Sequence, residues 1–297
     1  MLTRIHDYGK WEYGNKIGHP VNKVRCKVGE KKIKLINTYL YPMNQPTIQL
    51  SAVIITYNEE ACIERCIRSV QAVADEIIVL DSFSTDRTEE ICRSLGVRFE
   101  QHAFNGMIEQ RNRSWNMASG KYVLSMDADE VLSPELTSSI LTEKANGFQR
   151  DYYSMNRMSC IGDKWIRHGS WYPDKKLRLA RKEAAYFGGI NPHDKLILRN
   201  SSTPIHLKGD ILHYAFTDFE EYRKQSEKYS SISAQALMIA GKRATILKCY
   251  LNSSVAFIKS YFLKRGILDG VIGWRIAVEI ARQTKMKYMK LRKLRGS

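Results

Sequence analysis

From residue 50 onward the chain alternates short apolar runs with stretches in which apolar residues recur at helical spacing. Leu50-Ser51-Ala52-Val53-Ile54-Ile55 is rich in β-branched residues and passes into polar Thr56-Tyr57-Asn58-Glu59-Glu60, the pattern of a buried strand with a polar mouth. Cys62, Ile63, Cys66, Ile67 and Val70 then share one face of a predicted helix. Glu76-Ile77-Ile78-Val79-Leu80-Asp81 is a second strand-like run, closed by a carboxylate. A helix follows Ser82-Phe83-Ser84-Thr85-Asp86 to about residue 95, with Asp86 and Glu89 at capping-box spacing. Val97-Arg98-Phe99 predicts a short strand and Met107 to Ala118 a further helix. The next apolar run, Lys121-Tyr122-Val123-Leu124-Ser125, leads into Met126-Asp127-Ala128-Asp129-Glu130.

Alternating β and α elements predict an α/β domain with a mostly parallel central sheet and flanking helices. Ligands of such sheets bind at the carboxyl ends of the strands, so Asp81 and Asp127 are expected to face one crevice. Two Asp separated by one residue at a strand end can hold Mg²⁺ or Mn²⁺, which bind through one or two carboxylates plus the phosphates of a substrate. A nucleoside diphosphate is the implied ligand class. Standing alone, Asp-x-Asp-Glu is also a common way to leave a strand and open a loop.

The ordered set of pieces carries more than any one of them. Ile55-Thr56-Tyr57-Asn58-Glu59, Asp81-Ser82-Phe83-Ser84-Thr85-Asp86, Arg111-Asn112, Ala118-Ser119-Gly120-Lys121-Tyr122 and the Asp-Ala-Asp together resemble family 2 glycosyltransferases with the GT-A fold. Downstream, Trp171-Tyr172-Pro173-Asp174, Arg178-Leu179, His193-Asp194, His213-Tyr214 and Lys264-Arg265-Gly266-Ile267-Leu268-Asp269-Gly270 resemble the branch that includes lipopolysaccharide core β-glucosyltransferases. The resemblance implies an inverting, metal-dependent hexosyltransferase using a nucleoside diphosphate sugar, UDP-linked, on a lipopolysaccharide-core, lipid-linked or other cell-envelope acceptor. It places Thr56, Tyr57, Glu59, Asp81, Arg111 and Asp127 around the donor, with Tyr57 stacking on the base, Asp81 accepting from a base N–H and Arg111 meeting the diphosphate. Asp129, with Asp127 and His213, would hold the Mg²⁺ or Mn²⁺. The plainer readings are a rim aromatic for Tyr57, a strand-end cap for Asp81, a surface cation for Arg111 and simple packing for His213.

Residues 150–215 should supply the acceptor contacts and the base. Trp171 and Tyr172 can stack on sugar rings and Arg178 can contact the acceptor, although aromatics at such positions are as often core. An inverting transfer needs one group to take the acceptor hydroxyl proton. Asp194 holds the carboxylate position of the related branch, where Glu is expected, and is one methylene shorter; His193 is its competitor.

The chain has 297 residues, 43% of them hydrophobic, enough for a sizeable core. Its formal charge of +16 is concentrated at the ends: +6 over residues 1–50, −2 over 51–241 and +12 over 242–297. In the last segment the cations are interleaved with aromatics and aliphatics, the composition of basic amphipathic helices lying on an anionic membrane surface. A solvated basic face is the bland alternative; no motif for specific nucleic-acid recognition is present. No run of about 18 uninterrupted apolar residues and no signal-peptide core occur, and the six Cys are scattered without CxxC. The expected location is therefore cytoplasmic, peripheral on the inner face of the cell membrane. The expected domains are an N-terminal extension (1–48), a catalytic domain (49–215, with 49–132 for the nucleotide sugar and 133–215 for the acceptor) and a helical, membrane-associating region (216–297). A sugar-nucleotide nucleotidyltransferase is disfavoured because no Gly-rich phosphate loop follows the first strand; a non-catalytic membrane or nucleic-acid binding protein is disfavoured because Asp81 and Asp129 are both present.

Overall fold

A computed structural model describes residues 48–190 and 193–296, and the chain separates into units of residues 1–47 and 48–297. The expected N-terminal extension lies outside the described residues. Strand β1 (Leu50–Thr56) is buried along its whole length and sits between β2 (Glu76–Asp81) and β4 (Tyr122–Asp127), both parallel to it. β3 (Arg98–Gln101) extends the sheet beyond β2. Helices α1 (Ile63–Gln71), α2 (Thr88–Ser94) and α3 (Met107–Met117) are the crossovers. Strand order 3-2-1-4 puts a topological switch between β1 and β4, where an open α/β sheet forms its ligand crevice.

Beyond β4 the sheet becomes mixed. β5 (Glu130–Leu132) and α4 (Pro134–Ala145) follow the Asp-Ala-Asp turn, then β6 (Tyr152–Ile161), β7 (Lys164–Trp165) and β8 (Asp174–Arg181). β8 inserts antiparallel between β4 and β6, and the long β11 (Ile205–Phe216) runs parallel to β6 and antiparallel to β5. A separate hairpin, β9 (Ala185–Ile190) with β10 (His193–Leu198), covers α3. Because β8 runs against β4, its first residue, Asp174, arrives at the edge where β1, β2 and β4 end. The carboxyl edge of the parallel half and the acceptor-side strands therefore meet at one place.

One apolar core lies under α1, α2 and α4 and a second under α3 and the β9–β10 hairpin. A third, smaller cluster of Ile161, Ile166, Tyr222 and Ile276 joins the sheet to the C-terminal helices. These are α5 (Phe219–Ile239), α6 (Ile246–Ile258) and α7 (Gly270–Leu294), with a π turn at Lys259–Leu263 and a 3-10 turn at Gly266–Asp269 between the last two. The five Cys among the described residues are free thiols, as their scatter predicts.

The expected capping box at Asp86 and Glu89 does not form. Asp86 instead accepts from the Thr88 amide and hydroxyl and from the Glu60 amide, tying the mouth of β1 to that of β2, while Glu89 pairs with Arg93. Ser133 caps the start of α4, as Asp218 caps α5 and Thr245 caps α6. The Ser133 Oγ accepts from the Leu136 amide at 3.2 Å and from the Asp210 amide of β11 at 3.0 Å.

Ser133→Ala should therefore lose a helix cap and strand a β11 amide, costing about 2 kcal/mol in urea unfolding. Ser138→Ala on the exposed face of the same helix should change stability by less than about 0.5 kcal/mol. Equal effects would show that Ser133 does not join the two elements.

Candidate active site

Register fixes which side chains share the crevice. Thr56 is opposite Asp81, Ile55 is opposite Asp127, and His213 lies opposite both Glu130 and Ser159. The chain leaves β1 and β2 in strained turns, with Asn58 at φ 54° and Phe83 at φ 63°. Asn58 Oδ1 accepts from the Thr85 amide and the Asn58 amide donates to Ser84 Oγ, so the two mouths brace each other. Between these turns and the acceptor-side strands is a cavity of about 660 Å³, lined by Thr56, Tyr57, Glu59, Asp127, Asp129, Arg157, Trp171, Asp174, His213 and Tyr229 among others. That size suits a small-molecule ligand.

Asp127 is held from behind by two arginines. Arg111 Nη2 donates to its Oδ2 at 3.0 Å and Arg178 Nη2 to the same atom at 2.9 Å; both arginines are buried. Burial pushes the Asp127 carboxyl up, but the charges of Arg111 and Arg178 more than offset it and hold the group well below the usual carboxylate range. Burial likewise works against the Arg178 charge, yet Glu130 and Asp127 keep its guanidinium above its ordinary value. Glu130, fully buried, accepts from Arg178 at 3.2 Å and from the Asp127 amide at 3.0 Å, closing the cluster. Such charges are tolerated inside a protein only when each has a partner.

Several residues named from sequence thus sit in different places. Arg111 and Arg178 lie beneath the crevice floor, as holders of Asp127, rather than on the wall where a diphosphate or an acceptor would touch them. Asp194 Oδ2 lies 2.8 Å from Arg111 Nε, on the far side of that arginine, and Asp194 is not among the residues lining the cavity. The side chain of His193 lies outside the described residues. Asp81 is fully buried at the end of β2, bound by the Ser84 amide at 2.8 Å, the Ser84 hydroxyl and Gln101 Nε2 at 3.0 Å. Tyr172 points its hydroxyl at Asp210, 2.9 Å away, while Trp171 packs on Phe216 and Tyr222 and also faces the cavity.

The residues that could hold a cation converge. Asp129 and His213 both line the cavity, with His213 Nε2 3.0 Å from Asp129 Oδ2 and Ser159 Oγ 3.0 Å from Nδ1. The Tyr214 amide donates to the Asp129 carbonyl, fixing the backbone of the turn. Asp129 Oδ1 and Thr56 Oγ1 are buried without a hydrogen-bond partner, which is costly unless a ligand satisfies them, whereas Asp127 Oδ1 lies 2.8 Å from Arg111 Nη2. Among the described residues no three His, Cys, Asp or Glu side chains are arranged to hold a metal ion by themselves. A Mg²⁺ or Mn²⁺ completed by substrate phosphates fits this donor set, with a second-row hydroxyl orienting the imidazole.

Two wall residues were not singled out from sequence as site residues. Asp174 appeared only within a motif, and Arg157 not at all, because their meeting depends on pairing β6 with β8. Arg157 Nε and Nη2 donate to Asp174 Oδ2 at 3.1 and 3.0 Å, and Lys176 Nζ is 3.1 Å from Oδ1. Glu59, Asp127, Asp129 and Asp174 line the cavity with Arg157; Asp127 is paired with Arg111 and Arg178 behind it, and Asp174 with Arg157 and Lys176. Glu59 is pushed up to about 7, by burial first and then by the charges of Asp129 and Asp86.

A carboxyl whose folded value is raised binds its proton more tightly in the native state, so its contribution to stability is present below about 4.5 and is lost as pH rises through about 7. In chelator, thermal midpoints of Glu59→Gln and the unaltered protein should converge near pH 4.5 and separate in favour of the variant at pH 8. A constant gap across that range would contradict the assignment.

Comparison with known proteins follows the same lines. The model of the family "Glycosyl transferase family 2" matches residues 51–220. An uncharacterized glycosyltransferase of Rickettsia typhi is 32% identical over 257 residues, covering 83% of this chain and 87% of its own. The lipopolysaccharide core biosynthesis glycosyltransferase LpsC of Rhizobium meliloti is 25% identical over 222 residues, covering 73% and 82%. Among solved structures, residues 1–349 of S. aureus TarS align with a TM-score of 0.40 at 13% identity, covering 84% of this chain and 92% of that one. With a sheet that is parallel around the β1–β4 switch and mixed beyond it, the chain has the GT-A type of fold and belongs to glycosyl transferase family 2.

Proposed function

We propose that this glycosyltransferase moves a hexose, with inversion, from a UDP-linked donor to a hydroxyl of a cell-envelope glycan of the lipopolysaccharide-core or lipid-linked class, at the inner face of the membrane, using Mg²⁺ or Mn²⁺. The observation that carries the donor and metal reading is Asp129: Asp127 and Asp174 are already paired with cations, whereas Asp129 lines the cavity beside His213 with one carboxylate oxygen buried and without a hydrogen-bond partner, which a divalent cation arriving with the diphosphate would satisfy. The acceptor class is supported by the likeness to LpsC over most of both chains.

Tyr57, 57% exposed at the rim, stacks on the base, and Asp81, fully buried and held by Ser84 and Gln101, supports the turn that brings Ser82 to the cavity. Thr56 and Glu59 contact the nucleoside. Asp129 and His213 would hold the metal, which would supply positive charge against that building on the leaving diphosphate. Asp127 orients the ribose or the metal, its position set by Arg111 and Arg178. Trp171 offers its face to the acceptor sugar. The proton acceptor must reach the acceptor hydroxyl, and Asp174 is a cavity-lining carboxylate positioned by Arg157 and Lys176, so it takes this role; Asp194 acts through Arg111 as a positioning residue.

The test is single-turnover transfer from UDP-sugars to envelope glycolipid extract, alongside UDP titration and thermal melting. Asp129→Ala should lose transfer by at least about 10²-fold with its melting point retained. Asp174→Asn should lose about 10²-fold or more at unchanged UDP affinity, whereas Asp194→Asn should chiefly lower the melting point by freeing a buried arginine. Full transfer by Asp174→Asn with none by a stably folded Asp194→Asn would make Asp194 the base.

A further inference from the structure

The C-terminal helices carry an apolar surface that faces the wrong way for a protein surrounded only by water. In α6 and the turn after it, Leu247, Leu251, Val255, Ile258 and Phe262 follow one another at helical spacing, and each is at least 48% exposed. The opposite side of α6 is already used: Cys249 is buried and Ser253 Oγ donates to the Ala281 carbonyl of α7. The stripe continues around the turn through Leu263, Leu268 and Val271, exposed to 75%, 62% and 78%. A contiguous patch of this kind marks a docking surface, whereas scattered exposed apolar residues would not.

Its charge identifies the partner. Residues 242–297 contain two acids, Asp269 and Glu279, and both are engaged internally, Asp269 by the His168 ring at 2.8 Å and Glu279 by Arg282 at 2.9 Å. Lys242, Arg243, Lys259, Lys264 and Arg265 are exposed around the stripe. A second copy of the chain would bring the same cationic rim against itself, which is repulsive; a nucleic acid would match the charge but leave the apolar stripe in water. An anionic lipid surface satisfies both, with the stripe at the acyl boundary and the cations at headgroup level. Among the described residues no helix is long and apolar enough to cross a membrane, so the hairpin lies on it.

The same hairpin is bolted to the cavity. The Arg167 and His168 amides donate to Asp269 Oδ2 at 3.2 and 2.9 Å, the Gly169 amide to the Lys264 carbonyl at 2.8 Å, and the Ser170 amide to Ser260 Oγ at 3.3 Å. Gly169, at φ +77°, passes so close to Gly266 that a Cβ there would sit 3.6 Å from the Gly266 Cα. Ser170 and Trp171, the next residues along, line the cavity. We propose that the outward face of α6, the following turn and the first turn of α7 docks on an anionic phospholipid bilayer, and that the clasp at residues 167–170 holds the acceptor wall of the cavity at that interface so that the acceptor is taken from the membrane itself. The second half rests on the glycosyltransfer reading above. Within the basic region 242–297 that the sequence nominated as a whole, α7 has Ile276, Ala277 and Leu291 buried in the helical layer, and its basic end serves as a flank.

The full-length protein is mixed at low salt with phosphatidylcholine vesicles, with or without phosphatidylglycerol, and sedimented. It should bind the anionic vesicles and be released by salt, and Leu251→Asp/Phe262→Asp should weaken binding at least tenfold, with Leu268→Asp/Val271→Asp as an independent pair. Both variants should keep the wild-type melting point and UDP affinity, and should lose transfer to vesicle-borne acceptor but not to acceptor dispersed in detergent. Equal vesicle binding by both variants and wild type would overturn the docking face. A wild-type dimer that the variants split, with no lipid binding, would assign the face to a second copy instead. Lipid binding that persists while transfer fails with every acceptor would sink the glycosyltransfer reading and leave the docking face standing.

Discussion

The pairing of Asp127 with two buried arginines is the constraint on which the crevice depends. Arg111 comes from α3 and Arg178 from β8, so one carboxylate at the end of β4 gathers the parallel half of the sheet, the crossover helix and the inserted antiparallel strand. Glu130 completes the charge balance, and its acceptance of the Asp127 amide closes the turn that presents Asp129. Burying this many charges is expensive, and replacing them by apolar side chains would often stabilise a protein. Their presence is better explained by geometry: the cluster uses both oxygens of Asp127, sets where the floor of the cavity lies and presents Asp129 with one oxygen free of hydrogen bonds.

Above that floor, Asp129 and Glu59 are the carboxyls without a Lys or Arg partner among the described residues that line the cavity, and the chemistry follows from them. Burial first, and then the charges of Asp129 and Asp86, raise Glu59 toward neutral pH, and a cation at Asp129 and His213 would relieve Asp129 and Glu59 together. The donor and its metal enter as one unit in this view, each lowering the cost of the other.

The sequence revealed the parallel half well because each of its strands is a continuous apolar run ending in a polar residue, and Thr56, Asp81 and Asp127 are those endings. It revealed the roles of the acceptor half poorly. Asp174, Arg157 and Arg178 meet only because β8 pairs with both β4 and β6, and such long-range antiparallel register leaves no local periodicity to read. Asp86 shows a related failure: its spacing to Glu89 matched a cap, but a loop 26 residues earlier offered the Glu60 amide as a partner. In the C-terminal helices, amphipathic composition was visible, whereas the direction of the apolar stripe was not, since helical periodicity states that a face exists and not which side packs. Leu251 and Ile276 look alike in sequence; one faces out and the other is buried.

The most direct test of the account is calorimetric titration of UDP into the purified protein at neutral pH, with Mn²⁺ and separately with EDTA. With Asp129 Oδ1 left without a hydrogen-bond partner beside His213, UDP should bind at least about tenfold more weakly without the cation, a difference of roughly 1.4 kcal/mol or more. Equal UDP affinity in Mn²⁺ and in EDTA would contradict the account, because the diphosphate would then be held without a cation at Asp129.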